Sequence, residues 1–177
     1  MTRTTETVVN VIQGEYEISE DPTVVMTTVL GSCIAVCMFD TTRRIGGLNH
    51  FLLPNREGGG GASVRYGAYA MELLINGLLR KGAERGRLRA KIFGGASMIG
   101  NLRDIGASNA AFARQFLSDE GIPCVAESVS GTAARRIRFW PTNGRVRQLL
   151  VSAEAISLPP EKPALIPRPV MQEITLF

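Results

Sequence analysis

Hydrophobic positions divide this chain into short apolar runs, which are separated by glycine, proline and polar clusters. The longest run, Val24 to Phe39, is rich in Val, Ile, Thr and Cys, a composition that favours strands over a helix. Gly31-Ser32 interrupts the run, so it predicts two strands, at 24–30 and 33–39, that meet at a turn. Further strands are expected at 8–12, 45–53, 90–93, 122–129, 136–140 and 145–150.

Two other segments carry apolar residues at helical spacing. Residues 66–80 place Leu74 and Leu78 on one face, and residues 109–118 do the same with Phe112 and Phe116. Strands come first along the chain, and the two helices are interspersed with the later strands. This order predicts an α+β fold, with a layered β-sheet core that is flanked by helices.

The domain organisation follows from length and from the distribution of proline. With 177 residues the chain is long enough for one domain with its own core, and we expect a single domain over residues 1–158. Residues 159–177 contain five prolines, which predicts an extended tail outside the core. The segment 54–63, with four consecutive glycines, is expected to form a loop.

Composition narrows the class of protein. Three Cys and one His are too few for a disulfide framework or a His-rich metal site. No apolar run reaches the ~18 residues that a membrane helix needs, and the N-terminal residues lack the features of a signal peptide. The sequence therefore predicts a cytoplasmic protein with reduced thiols, no metal and no membrane insertion.

Charge is concentrated in the middle of the chain. Residues 65–147 have a net charge of +8, whereas the whole chain has +4. Arginines dominate this segment and form two clusters, at 80–91 and 135–138, the second of which contains Arg135 and Arg136. Such a surface is most often a solvated face, and it can also attract an acidic protein. Nucleic acid is not expected as a partner, because aromatic residues are not interleaved with the arginines.

Candidate chemistry lies at the break between the two central strands. In Gly31-Ser32-Cys33, the glycine permits a sharp turn, and the turn can expose a thiol between buried strands. A nucleophilic Cys needs a base, and His50 is the one histidine of the sequence. A metal site of Cys33, Cys37 and His50 is conceivable but lacks the usual C-x-x-C spacing. Cys37 and Cys124 are expected to be small core residues.

A succession of motifs resembles one known family. The segments are 27–33 (TTVLGSC), 46–54 (GGLNHFLLP), 91–96 (KIFGGA), 104–109 (DIGASN) and 142–146 (TNGRV). In this order, over about residues 20–152, they are similar to the chemoreceptor glutamine deamidase family, CheD. This resemblance implies a fold similar to the catalytic domain of the cytotoxic necrotizing factor toxins. It also implies a thiol-dependent hydrolase that needs no metal or organic cofactor.

The resemblance also implies roles for individual residues. By motif position, Cys33 is the nucleophile, His50 is the general base, and Thr27, six residues before the Cys, is the group that orients the imidazole. The backbone N–H groups of Gly31, Ser32 and Cys33 are expected to stabilise the oxyanion. Where the family often has Asn-Ile-Gly, this chain has Asp104-Ile105-Gly106, so no role is transferred to position 104.

The substrate that the resemblance implies is a glutamine on the cytoplasmic helices of a chemoreceptor, which is converted to glutamate through a Cys thioester. The basic middle segment would dock these commonly acidic helices. A CheC-type phosphatase is a further partner known for the family. Two alternatives stay open: a regulatory binding module with little catalysis, and a cysteine hydrolase that acts on a small amide.

Overall fold

A computed structural model describes residues 4–54, 60–97, 105–152 and 174–177. Two five-stranded sheets and two helices make up the described part. The strands are β1 (Thr7–Asn10), β2 (Tyr16–Ser19), β3 (Val24–Leu30), β4 (Ile34–Asp40), β5 (Ile45–Phe51), β6 (Arg89–Gly94), β7 (Cys124–Val129), β8 (Ala134–Trp140), β9 (Arg145–Val151) and β10 (Ile174–Leu176). The helices are α1 (Gly60–Arg80) and α2 (Ile105–Asp119), and a 3-10 turn spans Arg85–Arg87.

The two sheets lie face to face. The first sheet has the order β1-β3-β8-β9-β10, and the second has the order β2-β5-β4-β6-β7. In the first sheet β1 runs parallel to β3, and in the second β6 runs parallel to β7, while the other pairs are antiparallel. The chain passes from one sheet to the other three times near its beginning, between β1 and β2, between β2 and β3, and between β3 and β4.

Strand β4 is the centre of the second sheet and is buried along its whole length. Because successive side chains point to opposite faces of a sheet, one set of its residues, such as Cys37, packs in the core between the two sheets. The alternate set, such as Val36 and Met38, packs in a second core that α1 and α2 share with this sheet. The resulting order of layers is sheet, sheet, helices, so the predicted α+β class with a layered core is confirmed.

The helices cover one face of the second sheet, and the first sheet forms the opposite side of the molecule. Helix α1 lies on β5 and β2, and α2 lies on β6 and β4. Within the described ranges neither helix is long and apolar enough to span a membrane.

Several boundaries differ from the sequence predictions. Helix α1 begins at Gly60, before the predicted 66, and part of the predicted glycine loop (55–59) lies outside the described residues. Strand β2 falls in a polar segment that predicted no strand. Most of the predicted tail (159–173) also lies outside the described residues. Its last residues do not extend away from the core, because β10 pairs with β9 and the Phe177 ring packs against Phe93 at a centroid distance of 5.3 Å.

Candidate functional site

The predicted nucleophile and base lie between the two sheets. Cys33 ends the turn that leads from β3 in the first sheet to β4 in the second, and its side chain packs against the core between the sheets. His50 lies near the end of β5, is 6 % exposed, and pairs with Ala35 in the adjacent strand β4. Cys33 is partly exposed, so an external group can reach the thiol while the imidazole stays shielded.

The imidazole of His50 is held by a threonine and a backbone carbonyl. The Thr28 hydroxyl donates its single proton to the carbonyl oxygen of Val11 at 2.6 Å. His50 Nδ1 lies 2.9 Å from Thr28 Oγ1 and 3.3 Å from Val11 O. Because both oxygens then serve as acceptors, Nδ1 carries the proton of the neutral ring. The lone pair that can accept a proton is therefore on Nε2.

Thr27 does not occupy the position at the imidazole that motif matching predicted. Its hydroxyl donates to the carbonyl of Ile137 at 2.9 Å. Adjacent residues of a strand point to opposite faces, so Thr27 and Thr28 cannot both face the space between the sheets. The residue hydrogen-bonded to His50 is Thr28, and the predicted assignment is corrected accordingly.

The thiol and the imidazole are not joined by a hydrogen bond. Cys33 Sγ donates to Oε1 of Gln13 at 3.4 Å, and His50 Nε2 is buried with no hydrogen-bond partner within the described ranges. Catalytic hydrogen bonds are often absent or long before substrate binds. The lone pair of Nε2 is therefore not engaged by any described residue.

Burial shifts the pKa values of both groups toward their neutral forms. Burial raises the pKa of the Cys33 thiol above 9.0, and a hydrogen bond from its own backbone N–H counteracts this only in part. Burial lowers the pKa of His50 below 6.5, against the opposing effect of the Val11 carbonyl. At neutral pH the pair is a neutral thiol and a neutral imidazole, so the thiol has to be deprotonated by a base during the reaction.

The turn that carries Cys33 is fixed through its three carbonyl oxygens. Gly31 O accepts from the Ala96 backbone N–H at 2.9 Å, and Cys33 O accepts from the Gly95 N–H at 2.8 Å. Between them, Ser32 O accepts from the side-chain amide of Asn109 at 2.8 Å. The turn is thus held on the carbonyl side of all three of its residues, and the oxyanion role of their N–H groups stays a prediction.

Glycines allow the end of β6 to approach this turn. A Cβ atom on Gly94 would lie 2.0 Å from the Cys33 carbonyl oxygen, and Gly94 has φ +112. Gly95 has φ +65, and a Cβ atom on Gly106 of α2 would lie 2.4 Å from Gly95 O. The glycine motifs after β6 and at the start of α2 thus permit the backbone contacts that hold the nucleophile turn.

The other two cysteines have different environments. Cys37 is buried between the sheets, as expected, and burial raises the pKa of its thiol. Cys124 is exposed at the start of β7, so the prediction that it is a core residue is wrong. All three cysteines are free, and among the described residues no group of three or more His, Cys, Asp or Glu could hold a metal ion.

The basic middle segment is largely engaged within the fold. Arg135 is 4 % exposed, and its guanidinium donates to the carbonyls of Ser128 and Ser130, so it has a structural role rather than the predicted docking role. Other arginines form ion pairs, including Arg87 with Asp40. Within the described part of this segment, the arginines that pair with a carboxylate are Arg85, Arg87, Arg114 and Arg138.

The sequence did not indicate Val11, Gln13 or Asn109 as site residues. The first two belong to the segment between β1 and β2, whose hydrogen bonds to His50 join residues far apart in the chain. For Asn109 the sequence did contain a signal of a role in the site. It is the last residue of the 104–109 motif, to which no role had been assigned.

Comparison with known proteins gives consistent matches along the chain. A family model described as CheD chemotactic sensory transduction matches residues 52–149. A probable chemoreceptor glutamine deamidase CheD of Caulobacter sp. (strain K31) is 59% identical over 176 residues, with 96% of this chain and 92% of the relative covered. The protein of the same name from Agrobacterium fabrum is 49% identical over 174 residues, with 96% of each chain covered.

Two solved structures are similar at lower levels. The Bacillus licheniformis hypothetical protein YfiH has a TM-score of 0.44 and 16% identity, and the match covers 71% of this chain and 60% of that protein. The Neisseria meningitidis protein NMB0706 has a TM-score of 0.46 and 14% identity, with 80% and 73% covered.

Proposed function

The chain belongs to the chemoreceptor glutamine deamidase family CheD, and on this basis we propose that it converts glutamine side chains of chemoreceptors to glutamate, with Cys33 as nucleophile and His50 as general base. The substrate and the chemotaxis role come from the names of the relatives. The observation that supports the residue roles is the state of His50. Its Nδ1 is held by Thr28 and Val11, while its buried Nε2 is unpartnered.

The first half of the reaction forms a thioester. Nε2 of His50 takes the thiol proton of Cys33, and the sulfur attacks the side-chain carbonyl carbon of the substrate glutamine. The π electron pair moves onto the carbonyl oxygen, and the Cys33 N–H donates to this oxyanion. When the pair returns, the C–N bond breaks, and the imidazolium gives its proton to the departing ammonia.

The second half of the reaction restores the enzyme. Water gives a proton to Nε2 and attacks the thioester carbonyl carbon, forming a second oxyanion. Its collapse breaks the C–S bond, and the imidazolium returns the proton to the sulfur of Cys33. The products are a glutamate side chain and ammonia. Throughout, Val11 O and Thr28 keep the Nδ1 proton in place, so the same nitrogen serves as base in each half.

The test uses purified receptor cytoplasmic fragments. Intact-mass and peptide mass spectrometry measure the replacement of an amide NH₂ by OH at each glutamine. We expect conversion with the wild-type protein and with Cys124→Ala, which removes an exposed thiol away from the turn. We expect none with Cys33→Ala or His50→Ala. Conversion by Cys33→Ala would exclude this thiol as the nucleophile, and no conversion of any receptor by the wild type would favour a regulatory binding module.

The proposal extends to location and partners. A protein that acts on the cytoplasmic helices of chemoreceptors works in the cytoplasm. We retain a CheC-type phosphatase as a second partner on the strength of the family resemblance. Isothermal titration of the purified protein with such a phosphatase tests it, with heat of binding expected and its absence at high concentration counting against the partnership.

A further inference from the structure

Gln13 lies in the segment that joins β1 to β2, directly beside the catalytic pair. Hydrogen bonds to His50 anchor this segment on both sides of Gln13. On one side Val11 O contacts the imidazole, and on the other the Gly14 N–H donates to His50 O at 2.7 Å. The His50 N–H then donates to Glu15 O at 3.0 Å. The backbone around Gln13 is therefore fixed relative to the histidine, while its side chain is exposed.

The side-chain amide of Gln13 is the hydrogen-bond partner of the nucleophile. Its Oε1 accepts from Cys33 Sγ at 3.4 Å. An amide carries an acceptor and two donors of nearly equal size on one carbon. A half-turn about the terminal bond of Gln13 therefore replaces Oε1 by Nε2 at the same place. The acceptor suits the protonated thiol, and the donor suits the thiolate.

We propose that Gln13 is a catalytic residue of the deamidase, whose amide NH₂ donates first to the Cys33 thiolate and then to the oxyanion. The inference rests on the proposed function of Cys33 and His50. The oxyanion forms two bonds from Sγ, on the carbon that Sγ attacks, so an amide that contacts Sγ at 3.4 Å is close enough to turn its NH₂ toward that oxygen. In this proposal Gln13 complements the expected backbone donor at Cys33.

A second donor answers a specific electrostatic need of this site. The thiol is partly removed from water, and the buried imidazole that deprotonates it becomes a cation only during the reaction. Negative charge therefore moves from sulfur to oxygen at a thiol that water reaches only in part. A neutral donor that can reorient stabilises the charge at both atoms without adding a fixed positive charge.

Two variants with a matched control test the role with receptor as substrate. Gln13→Ala removes the donor, and Gln13→Glu puts a carboxylate in its place. Gln115→Ala is the control, because Gln115 is an exposed glutamine on α2. We expect kcat to fall about 100-fold in Gln13→Ala with little change in KM, to fall at least as far in Gln13→Glu, and to stay unchanged in the control.

Three results would overturn the proposal. An unchanged kcat in Gln13→Ala would mean that the amide donates to nothing in the transition state. A higher kcat/KM would mean that Gln13 only blocks the thiol. Conversion of Gln13 itself to glutamate in the wild-type protein, dependent on Cys33, would make it a substrate rather than a donor. Thermal unfolding of each variant checks that the fold is retained.

A measurement without receptor separates this inference from the proposed function. The rate at which iodoacetamide alkylates Cys33 is followed against pH in a Cys124→Ser background, so that the exposed Cys124 does not react. We expect the inflection to move to higher pH in Gln13→Ala and further in Gln13→Glu. Unmoved inflections would count against Gln13 as a thiolate donor whether or not receptors are deamidated. Deamidation that survives Cys33→Ala would instead refute the proposed nucleophile.

Discussion

The side-chain amide of Asn109 on α2 donates to the carbonyl of Ser32, the residue before Cys33, at 2.8 Å. Its Oδ1 accepts from the Leu53 N–H at 3.0 Å, just after the strand that carries His50. One buried side chain therefore holds the turn of the proposed nucleophile and the end of the strand of the proposed base at a fixed separation.

Asn109→Leu removes both of these contacts while keeping the branched shape and the number of heavy atoms of the side chain. Two hydrogen bonds at partly buried backbone groups are lost, each worth about 0.5–1.5 kcal/mol, so we expect the free energy of unfolding to fall by about 1–3 kcal/mol. We also expect kcat to fall more than KM rises, because the turn loses its position rather than its substrate contacts. Denaturant unfolding and receptor deamidation kinetics measure the two effects. A kcat equal to that of the wild type would show that the backbone hydrogen bonds to Gly31 O and Cys33 O are enough to hold the turn.

Thr28→Val and Thr27→Val form a matched pair, because each replaces a hydroxyl by a methyl group in β3. Thr28→Val removes the group between Val11 O and Nδ1, so the protonated nitrogen is no longer fixed. We expect its kcat to fall about 10–100-fold, less than the full contribution of a general base. Thr27→Val, whose hydroxyl contacts Ile137 O, is expected to keep wild-type kcat. The reverse ranking in deamidation assays would restore the motif-based assignment to Thr27.

Gly94→Ala tests the close contact between β6 and the nucleophile turn. Its Cβ atom would overlap the Cys33 carbonyl oxygen at 2.0 Å, and φ +112 disfavours any residue with a side chain. We expect a loss of activity. We also expect the free energy of unfolding to fall by about 1 kcal/mol or more, as it does for other substitutions that strain the backbone. Gly86→Ala is the control, since a Cβ atom there meets nothing within 4 Å. A stable and active Gly94→Ala protein would contradict the described contact.

The pH dependence of kcat/KM follows from the shifted pKa values. The reactive form needs a neutral imidazole and a thiol that still holds its proton. Burial lowers the pKa of His50 below 6.5 and raises the pKa of Cys33 above 9.0. As pH increases, kcat/KM should therefore rise with a midpoint below pH 6.5 and stay level through neutral pH. It should fall again with a midpoint above pH 9.0. An inflection at neutral pH, between 6.5 and 9.0, would contradict the directions of the two pKa shifts.

Because of Asp40, at the end of β4, the stability of the protein changes with pH in the acid range. Burial raises its pKa, but hydrogen bonds from Arg87 and the Glu84 N–H outweigh burial and lower it from 3.8 to about 2. A carboxyl group whose pKa is lowered by folding stabilises the protein at pH values above its pKa in the unfolded state. For Asp40 this stabilisation is about 2 kcal/mol, and it is lost as pH falls from 3.8 to about 2. Asp40→Asn should remove this dependence and destabilise the protein at pH 7, as measured by denaturant unfolding. Glu72→Gln, on the exposed face of α1, should change neither.

The fold was predictable where apolar runs and turn residues agree. The Val24–Phe39 run with its Gly-Ser break predicted β3 and β4, and residues 141–144 predicted the turn between β8 and β9. Strand β2 was not predicted, because it is polar and lies at an edge of its sheet.

The site was predictable only in part. Cys33 and His50 follow from motif spacing, but the orienting threonine does not. Strand β3 has apolar residues at both odd and even positions, so alternation could not tell which of Thr27 and Thr28 faces the other sheet. The contacts of Gln13 and Asn109 join residues 20 and 77 positions apart, and no local pattern encodes such distances.

The segment from Val11 to Glu15 leaves the first sheet and enters the second, and His50 is hydrogen-bonded at both ends of it. The imidazole contacts Val11 O, and the His50 backbone N–H donates to Glu15 O. His50 itself belongs to the second sheet, whereas Thr28 belongs to the first. The hydrogen bonds at Nδ1 therefore cross from one sheet to the other, and their lengths depend on how the two sheets are spaced. We expect a ligand, fusion or mutation that slides or separates the sheets to loosen the hold on Nδ1, and so to affect any activity that uses His50 as its base.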